Sequence, residues 1–522
     1  MIKNPVAAYL AARSPDRVNT SLLAYLCNLE IVAQTAPDIA ASIVQELESQ
    51  RSRIKLIASE NYCSFAVQLA MGNLLTDKYA EGVPYHRFYA GNENVDAVEN
   101  RAAEAARRLF AAEYANVQPH CGADANMLAY WGILSTCIET PLLEKYRETN
   151  LYKLTTPQWQ ELKASLGNQR LLGLDYYSGG HLTHGYRHNV SGRMFEVYHY
   201  SVSKETGFLD YDDIERQALE VKPLILLAGY SAYPRRINVK RMRQIADKAG
   251  AVLMVDMAHF AGLVAGKVFT GDYDPVLHAH VVTTTTHKTL RGPRGGLVLS
   301  TKAFAQALDK GCPLTMGGPL PHVIAAKAVA LEEAGTPEFR DYAARIVENA
   351  QALAGACIKN GLEVLTGGTD NHLFLMRLQE LGINGRQAEN ALLDCGIILN
   401  RNTLPFDPKG PWYTSGLRLG TAALTTLGMG TQEMEEIGSI IALVLNHTAQ
   451  VSDPKNPAVK SLVKYGIEEK ARAQALERVK RLMARFPVYP ELDIEVLKAA
   501  FLGRADQPVQ LTSDFNPMGK AV

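Results

Sequence analysis

Leu224–Ala228 (LILLA), Asn238–Gly250 (NVKRMRQIADKAG) and Ala251–His259 (AVLMVDMAH) form the stretch whose reading decides the fold. The first run is short and wholly apolar, as in a strand covered on both faces. Asn238 is a helix-capping residue and Gly250 a helix-closing one, so the spacing predicts a helix over Asn238–Ala249. Ala251–Val255 is a second buried strand, and polar chemistry begins where it ends, at Asp256 and His259. Strand, crossover helix, strand is the unit of a parallel sheet with helices on both faces.

Working outward, Val281–Thr285 and Gly296–Leu299 follow the same logic, so the span from about Asn100 to Ser300 reads as one large, mostly parallel α/β sheet domain. After about Gly318 the texture changes. A long helical stretch, Val323–Asn360, leads to short strands near Leu362–Leu365 and His372–Leu378, then to Gly416–Gly420 and a helix near Gln432–Leu445, which predicts a smaller α+β domain. Glu468–Arg485 has a surface-helix composition, and the last dozen residues, with Pro, Gly and Ser, read as loose. The expected division is a helical arm over 1–75, a large domain over 76–320 carrying an insertion at about 137–178, a small domain over 321–451 and a helical tail over 452–522.

The 522 residues are 47% apolar, ample for a large core, and 54 basic side chains balance 54 acidic ones. That balance leaves no basic footprint and argues against a dedicated nucleic-acid binder. The seven cysteines are scattered without a CxxC pair, which points to a reducing, cytoplasmic setting and no structural metal. Interior apolar windows such as Leu224–Ala228 are far shorter than the roughly 18 residues of a membrane span. Val6–Ala12 lies between Pro5 and the charged Arg13, Asp16 and Arg17, and reads as a short capping helix rather than a signal peptide.

Four segments carry chemistry. Thr283–Thr286 run off a predicted strand into His287 and Lys288, and a partly desolvated lysine there can attack a carbonyl. Asp256 ends the preceding strand, where a carboxylate in apolar surroundings needs a cationic partner such as a pyridinium nitrogen. Pro119–Ala123 opens a helix whose free N–H groups suit a phosphate. In Gly179–Gly185 (GGHLTHG) paired glycines admit a ligand, and an imidazole can stack on a flat ring. Each has an ordinary alternative: a solvated loop lysine, an aspartate capping a turn, a glycine before a helix, two histidines without a nearby third metal ligand.

Taken together the segments are more specific. The chain resembles serine hydroxymethyltransferase, a pyridoxal-phosphate family of the aspartate-aminotransferase-like fold (fold type I), in a bacterial form with an insertion and extended termini. The likeness runs from about Ile54 to Val444 through eight ordered blocks: LIASENY (Leu56–Tyr62), KYAEG (Lys78–Gly82), ANVQPH (Ala115–His120), GGHLTHG (Gly179–Gly185), VDMAH (Val255–His259), VVTTTTHK (Val281–Lys288), GGTDNHLF (Gly367–Phe374) and TSGLRLG (Thr414–Gly420).

The resemblance implies reversible conversion of L-serine and tetrahydrofolate to glycine and 5,10-methylenetetrahydrofolate, with pyridoxal 5'-phosphate as cofactor. By similarity Lys288 carries the cofactor as an aldimine, Asp256 keeps its pyridine nitrogen protonated, and His181 stacks on its ring. Ser231 and His259 lie near the phenolic oxygen, and Gly122 and Ala123 near the phosphate. Arg418 clamps the amino-acid carboxylate, a task suited to a planar guanidinium, with Ser59 and Arg294 close by and His287 tied to reaction specificity. Glu81 matches the acid near the serine hydroxyl. Tyr79 and Gly318 match positions reaching the cofactor phosphate from a neighbouring subunit, and Tyr89 lies near the substrate, which implies a homodimer or a dimer of dimers with shared sites. Folate falls near Gly180, Leu182, Tyr176 and Asn402. A folate-independent aldolase or racemase needs the same lysine and aspartate and is the enzyme alternative; a catalytically dead scaffold is the other.

The chain also departs from the family pattern. Cys121, Ala123 and Asp124 stand in a run where hydroxyl donors are usual, Leu314–Gly318 replaces a glycine-rich run, Phe88 precedes Tyr89 where tyrosines are usually paired, and Tyr176 stands where leucine is usual. These bear on cofactor affinity and folate contacts, while Lys288, Asp256, His181 and Arg418 are retained.

Overall fold

A computed structural model describes residues 4–407, 409–453 and 456–502; the loose terminus expected of the last dozen residues lies outside them. The chain divides into two compact units, one of residues 55–479 and one of residues 4–54 with 480–502.

Seven strands of the larger unit form the main sheet: β1 (Tyr114–Asn116), β2 (Arg170–Leu174), β3 (Glu196–Tyr200), β4 (Ile225–Gly229), β5 (Val252–Asp256), β6 (Val281–Thr285) and β7 (Gly296–Ser300). Their order is β1-β7-β6-β5-β4-β2-β3. The run from β3 to β6 is parallel, and β7 lies antiparallel between β6 and β1. Strands β4, β6 and β7 are buried at every position, which is why they read as continuous apolar runs with no alternation.

Six helices of the same unit matter below: α1 (Glu93–Phe110), α2 (Gly122–Leu134), α3 (Val239–Ala249), α4 (Pro321–Glu333), α5 (Pro337–Lys359) and α6 (Thr431–Asn446). The crossover α3 starts as its sequence indicates, with the Asn238 side chain accepting from the N–H of Arg241, and it ends at Gly250 with φ of 70°. The long helix expected over Val323–Asn360 is instead two. Thr336 caps α5 through the N–H of Phe339 and Pro337 occupies its first turn, so α4 stops at Glu333; proline at that place starts a helix rather than continuing one.

A second, antiparallel sheet has the order β8-β9-β11-β10, from β8 (Glu363–Val364), β9 (Leu373–Arg377), β10 (Asn400–Asn402) and β11 (Gly416–Gly420). A hairpin of β12 (Thr448–Asp453) and β13 (Asn456–Ile467) follows α6. Apolar residues of the main sheet and of the helices covering it make the largest core cluster, from Leu172 and Leu226 to Phe339 and Ile346.

The smaller unit joins the two ends of the chain. Arg51 donates to the carbonyls of Val488 (2.9 Å), Leu492 (2.8 Å) and Tyr489, and Lys498 pairs with Glu48 at 2.7 Å. Among the described residues no helix is long and apolar enough to cross a membrane.

Candidate active site

The parallel strands place their chemistry at their carboxyl ends, where ligands collect in such sheets. Asp256 is the last residue of β5, and Lys288 lies three residues past β6. The segment bearing Lys288 is pinned on several sides. Thr286 donates from its hydroxyl to the Pro293 carbonyl (2.6 Å), the Asn61 amide donates to the Lys288 carbonyl (2.9 Å), and Thr289 bonds the His259 carbonyl (2.9 Å). Lys288 is 9% exposed. Burial lowers its pKa to about 8, with Arg418 and Arg294 acting the same way and Asp256 opposing them.

Asp256 is held by a network that ties it to His181. Its Oδ2 accepts from the Asn126 amide (2.9 Å) and from His184 Nε2 (3.1 Å), and its Oδ1 from the N–H of Ala258 (3.0 Å). His184 accepts the His181 N–H at Nδ1 (3.3 Å), so Nε2 carries the proton it gives to Asp256. The same Asn126 amide donates to the Thr183 hydroxyl (2.7 Å), which lies 2.7 Å from His181 Nδ1. Thr283 on β6 fixes Asn126 from below by donating to its carbonyl oxygen (2.6 Å). Burial pushes the Asp256 pKa up, but the hydrogen bonds it accepts from His184 and Asn126 outweigh that and hold the carboxyl well below its usual range. Burial lowers His181 to about 4, so its ring is neutral near pH 7. His259 and His372, both buried, share a 3.1 Å contact between Nδ1 and Nε2, and burial holds both well below the usual imidazole range.

Lys288, Asp256, His181 and His259 line a cavity of about 440 Å³. Ser59, Gly122, Ala123, His181, Ser231, Asp256, His259, His287, Lys288, Arg294 and Arg418 all face it. An adjoining cavity of about 450 Å³ shares His181, Ser231 and Arg418 and adds Tyr176, Gly180, Leu182 and Asn402, with Glu389 and Arg401 on its far wall. Gly179, at φ of 105°, and Gly180, where a Cβ would sit 2.1 Å from the Leu174 carbonyl, explain the glycine pair before His181. Arg418, on β11, gives one N–H to the Asn400 side chain (3.1 Å) and one to the Ser231 carbonyl (2.7 Å), and its remaining donors have no partner among the described residues. Burial brings its pKa down to about 10.

Four expected site residues stand apart. Tyr79, Glu81, Tyr89 and Gly318 line neither cavity. They gather elsewhere: the rings of Tyr79 and Tyr89 meet edge to face at 5.1 Å, a Cβ on Gly318 would lie 3.4 Å from the Tyr79 ring, and the charge of Glu81 raises the Tyr79 pKa. Tyr79 is 57% and Tyr89 49% exposed.

The cavity suits a flat, phosphorylated pyridine aldehyde. Helix α2 begins at Gly122 and the preceding Cys121 gives it no side-chain cap, leaving its first N–H groups turned to the cradle formed by Cys121, Gly122 and Ala123. A Cβ on Gly122 would sit 2.7 Å from the Thr285 methyl group, so only glycine leaves this space open. His287 Nδ1 is buried and without a partner among the described residues. Asp256 keeps an acceptor site after its three hydrogen bonds, as a pyridinium N–H requires. The third ligand that the histidine pair lacks in sequence does exist in space, since atoms of His181, His184 and Asp256 lie within 4.8 Å of one another; the hydrogen bonds above account for that closeness. Sequence reasoning missed Asn126, the role of His184, and His372. Asn126 carried the one local signal, lying on the helix that opens at the cradle.

Comparison with known proteins gives one consistent answer. The family model described as serine hydroxymethyltransferase matches residues 32–140 and 162–441. The chain is 57% identical to a serine hydroxymethyltransferase of Treponema pallidum over 99% of this chain and 90% of that protein. It is 53% identical to those of Mycolicibacterium smegmatis, over 93% and 97%, and of Chlamydia trachomatis, over 92% and 96%.

Proposed function

The chain belongs to the serine hydroxymethyltransferase family, and from that premise we propose how its residues divide the work. The reaction is the reversible transfer of the serine hydroxymethyl group to tetrahydrofolate, leaving glycine, with pyridoxal 5'-phosphate as cofactor. When bound, the cofactor supplies an aldehyde for covalent capture of amines and a ring that withdraws electrons from the bond being broken.

Lys288 is the covalent anchor. Its burial, which brings the pKa to about 8, keeps a usable fraction of free amine near neutrality. Asp256, ionised and positioned by Asn126 and His184, holds a proton on the ring nitrogen. His181 packs a neutral ring against the cofactor and adds no second positive charge. Ser231 and His259 line the same cavity and would hold the phenolic oxygen, and Gly122 and Ala123 would offer the α2 N–H groups to the phosphate. Arg418 offers its unused donors to the substrate carboxylate, with Ser59 and Arg294 beside it and His287 next to Lys288. Tetrahydrofolate takes the adjoining cavity at Tyr176, Gly180, Leu182 and Asn402.

The group of Tyr79, Glu81, Tyr89 and Gly318 completes the cavity of a partner subunit, so the working form is a homodimer or a dimer of dimers. Their separation from this chain's own cavity, with both tyrosines about half exposed, supports that reading. In that arrangement Glu81 moves the proton of the serine hydroxyl. We read 76–320 as the cofactor-binding body and 321–451 as the smaller domain, in line with the two separate sheets. The insertion at about 137–178 contains residues 141–161, which the family model passes over. Seven unpaired cysteines support a reducing, cytoplasmic setting.

The observation that carries the assignment is the meeting of Lys288, Asp256 and Arg418 around one cavity. The test is formation of glycine from serine by the purified protein with pyridoxal phosphate, with and without tetrahydrofolate. Turnover that requires tetrahydrofolate is expected. Equal turnover without it would favour the folate-independent aldolase, which no observed feature supports.

A further inference from the structure

Lys327, on α4, is 1% exposed and takes no part in the chemistry above. Its ammonium donates to three backbone carbonyls: Val117 (2.6 Å), Pro119 (2.8 Å) and Gly296 (2.9 Å). Three acceptors match the three N–H bonds of an ammonium, whereas a neutral amine has only two. Two of these carbonyls belong to the segment leading from β1 to the cradle, and the third to the first residue of β7. The tie is close-fitting. A Cβ on Gly295 would sit 2.4 Å from Lys327 Cε, and one on Gly296 would sit 2.3 Å from the Cys121 carbonyl.

The charge has no carboxylate in contact among the described residues. Glu99 and Asp124 are the acids that act on it from further off. Glu99 is already engaged by Arg87 at 2.7 Å and by Gln118 at 2.9 Å, and Asp124 lies 3.4 Å from His120 Nδ1. Burial alone lowers the Lys327 pKa, to about 7, whereas the three carbonyl dipoles and an anion in the cradle favour the charged form. A buried, poorly compensated cation is costly, and a doubly charged phosphate at Cys121–Ala123 would offset that cost.

We infer that Lys327 is a positioning residue for the cofactor phosphate: from beneath the cradle it fixes the Val117–Pro119 segment against β7 and supplies a buried positive charge that selects an anion there. This rests on the proposed placement of the phosphate at Gly122 and Ala123. It accounts for how a cradle with Cys121 and Ala123 in place of hydroxyl donors holds a phosphate.

The test compares pyridoxal phosphate with pyridoxal, which lacks the phosphate, by equilibrium titration of the full-length protein freed of cofactor. Wild type should prefer pyridoxal phosphate; no preference would overturn the cradle placement itself. Lys327→Met keeps the length of the side chain and removes the charge. It should weaken pyridoxal phosphate by roughly tenfold or more and change pyridoxal by less than about twofold, since only one ligand carries the anion. Equal weakening of both ligands, or of neither, in a wild type that does discriminate would overturn the role of Lys327. Lys327→Gln, which retains a donor for the carbonyls, serves where Lys327→Met does not fold, and the same selective loss is required of it.

Discussion

Two regions of the larger unit differ sharply in how much of their chemistry they hold on their own. The ends of β5 and β6 carry Asp256, His259 and Lys288, which are 7%, 3% and 9% exposed, and Asp256 is bound into a network with Asn126, Thr183 and His184. The segment from Tyr79 to Tyr89 keeps aromatic surface in the open, with Tyr85 75% and Phe88 71% exposed beside Tyr79 and Tyr89. Desolvated, hydrogen-bonded groups are ready for chemistry as they stand. A cluster of exposed aromatic rings is what a surface awaiting a partner looks like. The difference teaches that the lysine and aspartate end of the site is assembled within one chain, whereas the Tyr79–Tyr89 segment lines neither of this chain's cavities and carries the proposal of a shared site.

The most severe way to break that contrast is at Lys288. Lys288→Ala should abolish turnover with the fold intact, because it removes a nucleophile and no major packing group. In the native protein, borohydride reduction followed by peptide mass mapping should place the cofactor on Lys288; a label on another lysine would refute the assignment. Mixing Lys288→Ala chains with Glu81→Gln chains, each inactive alone, then tests the other region. If sites are shared, every mixed dimer holds one intact site, so random exchange restores about a quarter of the sites. Mixed dimers shown to form without regaining activity would place Glu81 outside any shared site.

Arg418→Lys comes next. The charge survives but the fork does not, so we expect the KM for serine to rise by roughly ten- to a hundredfold, in line with a loss of about 1.5 to 3 kcal/mol for a hydrogen bond to a charged group. Unchanged saturation by serine would count against the clamp.

A smaller effect sharpens the electrostatics of the buried region. Burial lowers the Lys288 pKa to about 8, and an amine attacks an aldehyde only when unprotonated. Capture of pyridoxal phosphate by the cofactor-free protein should therefore quicken as pH rises through about 8 and level off above it. Asp256 is the group that raises this pKa, so Asp256→Asn should move the midpoint down. A midpoint near that of an ordinary lysine, about 10.4, would show that the amine is not desolvated in solution.

How much of this was legible before the structure follows from how far apart the partners lie. Asp256 and Lys288 stood out because each sits at or just beyond the end of an apolar run, and a parallel sheet turns that position into a site. The crossover helix was legible from Asn238 and Gly250, whose capping roles are local. The break between α4 and α5 also had a local signal, Gly335, Thr336 and Pro337, which apolar continuity across Val323–Asn360 overrode. Asn126 reaches Asp256 across 130 positions, and Lys327 reaches the Val117 carbonyl across 210. No spacing rule spans such distances; only the fold brings the groups together.

The smallest expected effect concerns the cradle between the two regions. The family pattern places a serine where this chain has Ala123, which is exposed in the first turn of α2 and cannot donate from a side chain. A hydroxyl donating to an ionised phosphate contributes about 1.5 to 3 kcal/mol, so Ala123→Ser should tighten pyridoxal phosphate by roughly tenfold, the lower end of that range. Asp124 does not cancel the gain, because it is present in both wild type and Ala123→Ser. The added hydroxyl would join the α2 N–H groups already turned to the cradle and the charge of Lys327 beneath it. Equilibrium dialysis of wild type and Ala123→Ser measures the difference directly. Equal dissociation constants would mean that the α2 N–H groups, Cys121 and Lys327 already satisfy the phosphate without the missing hydroxyl.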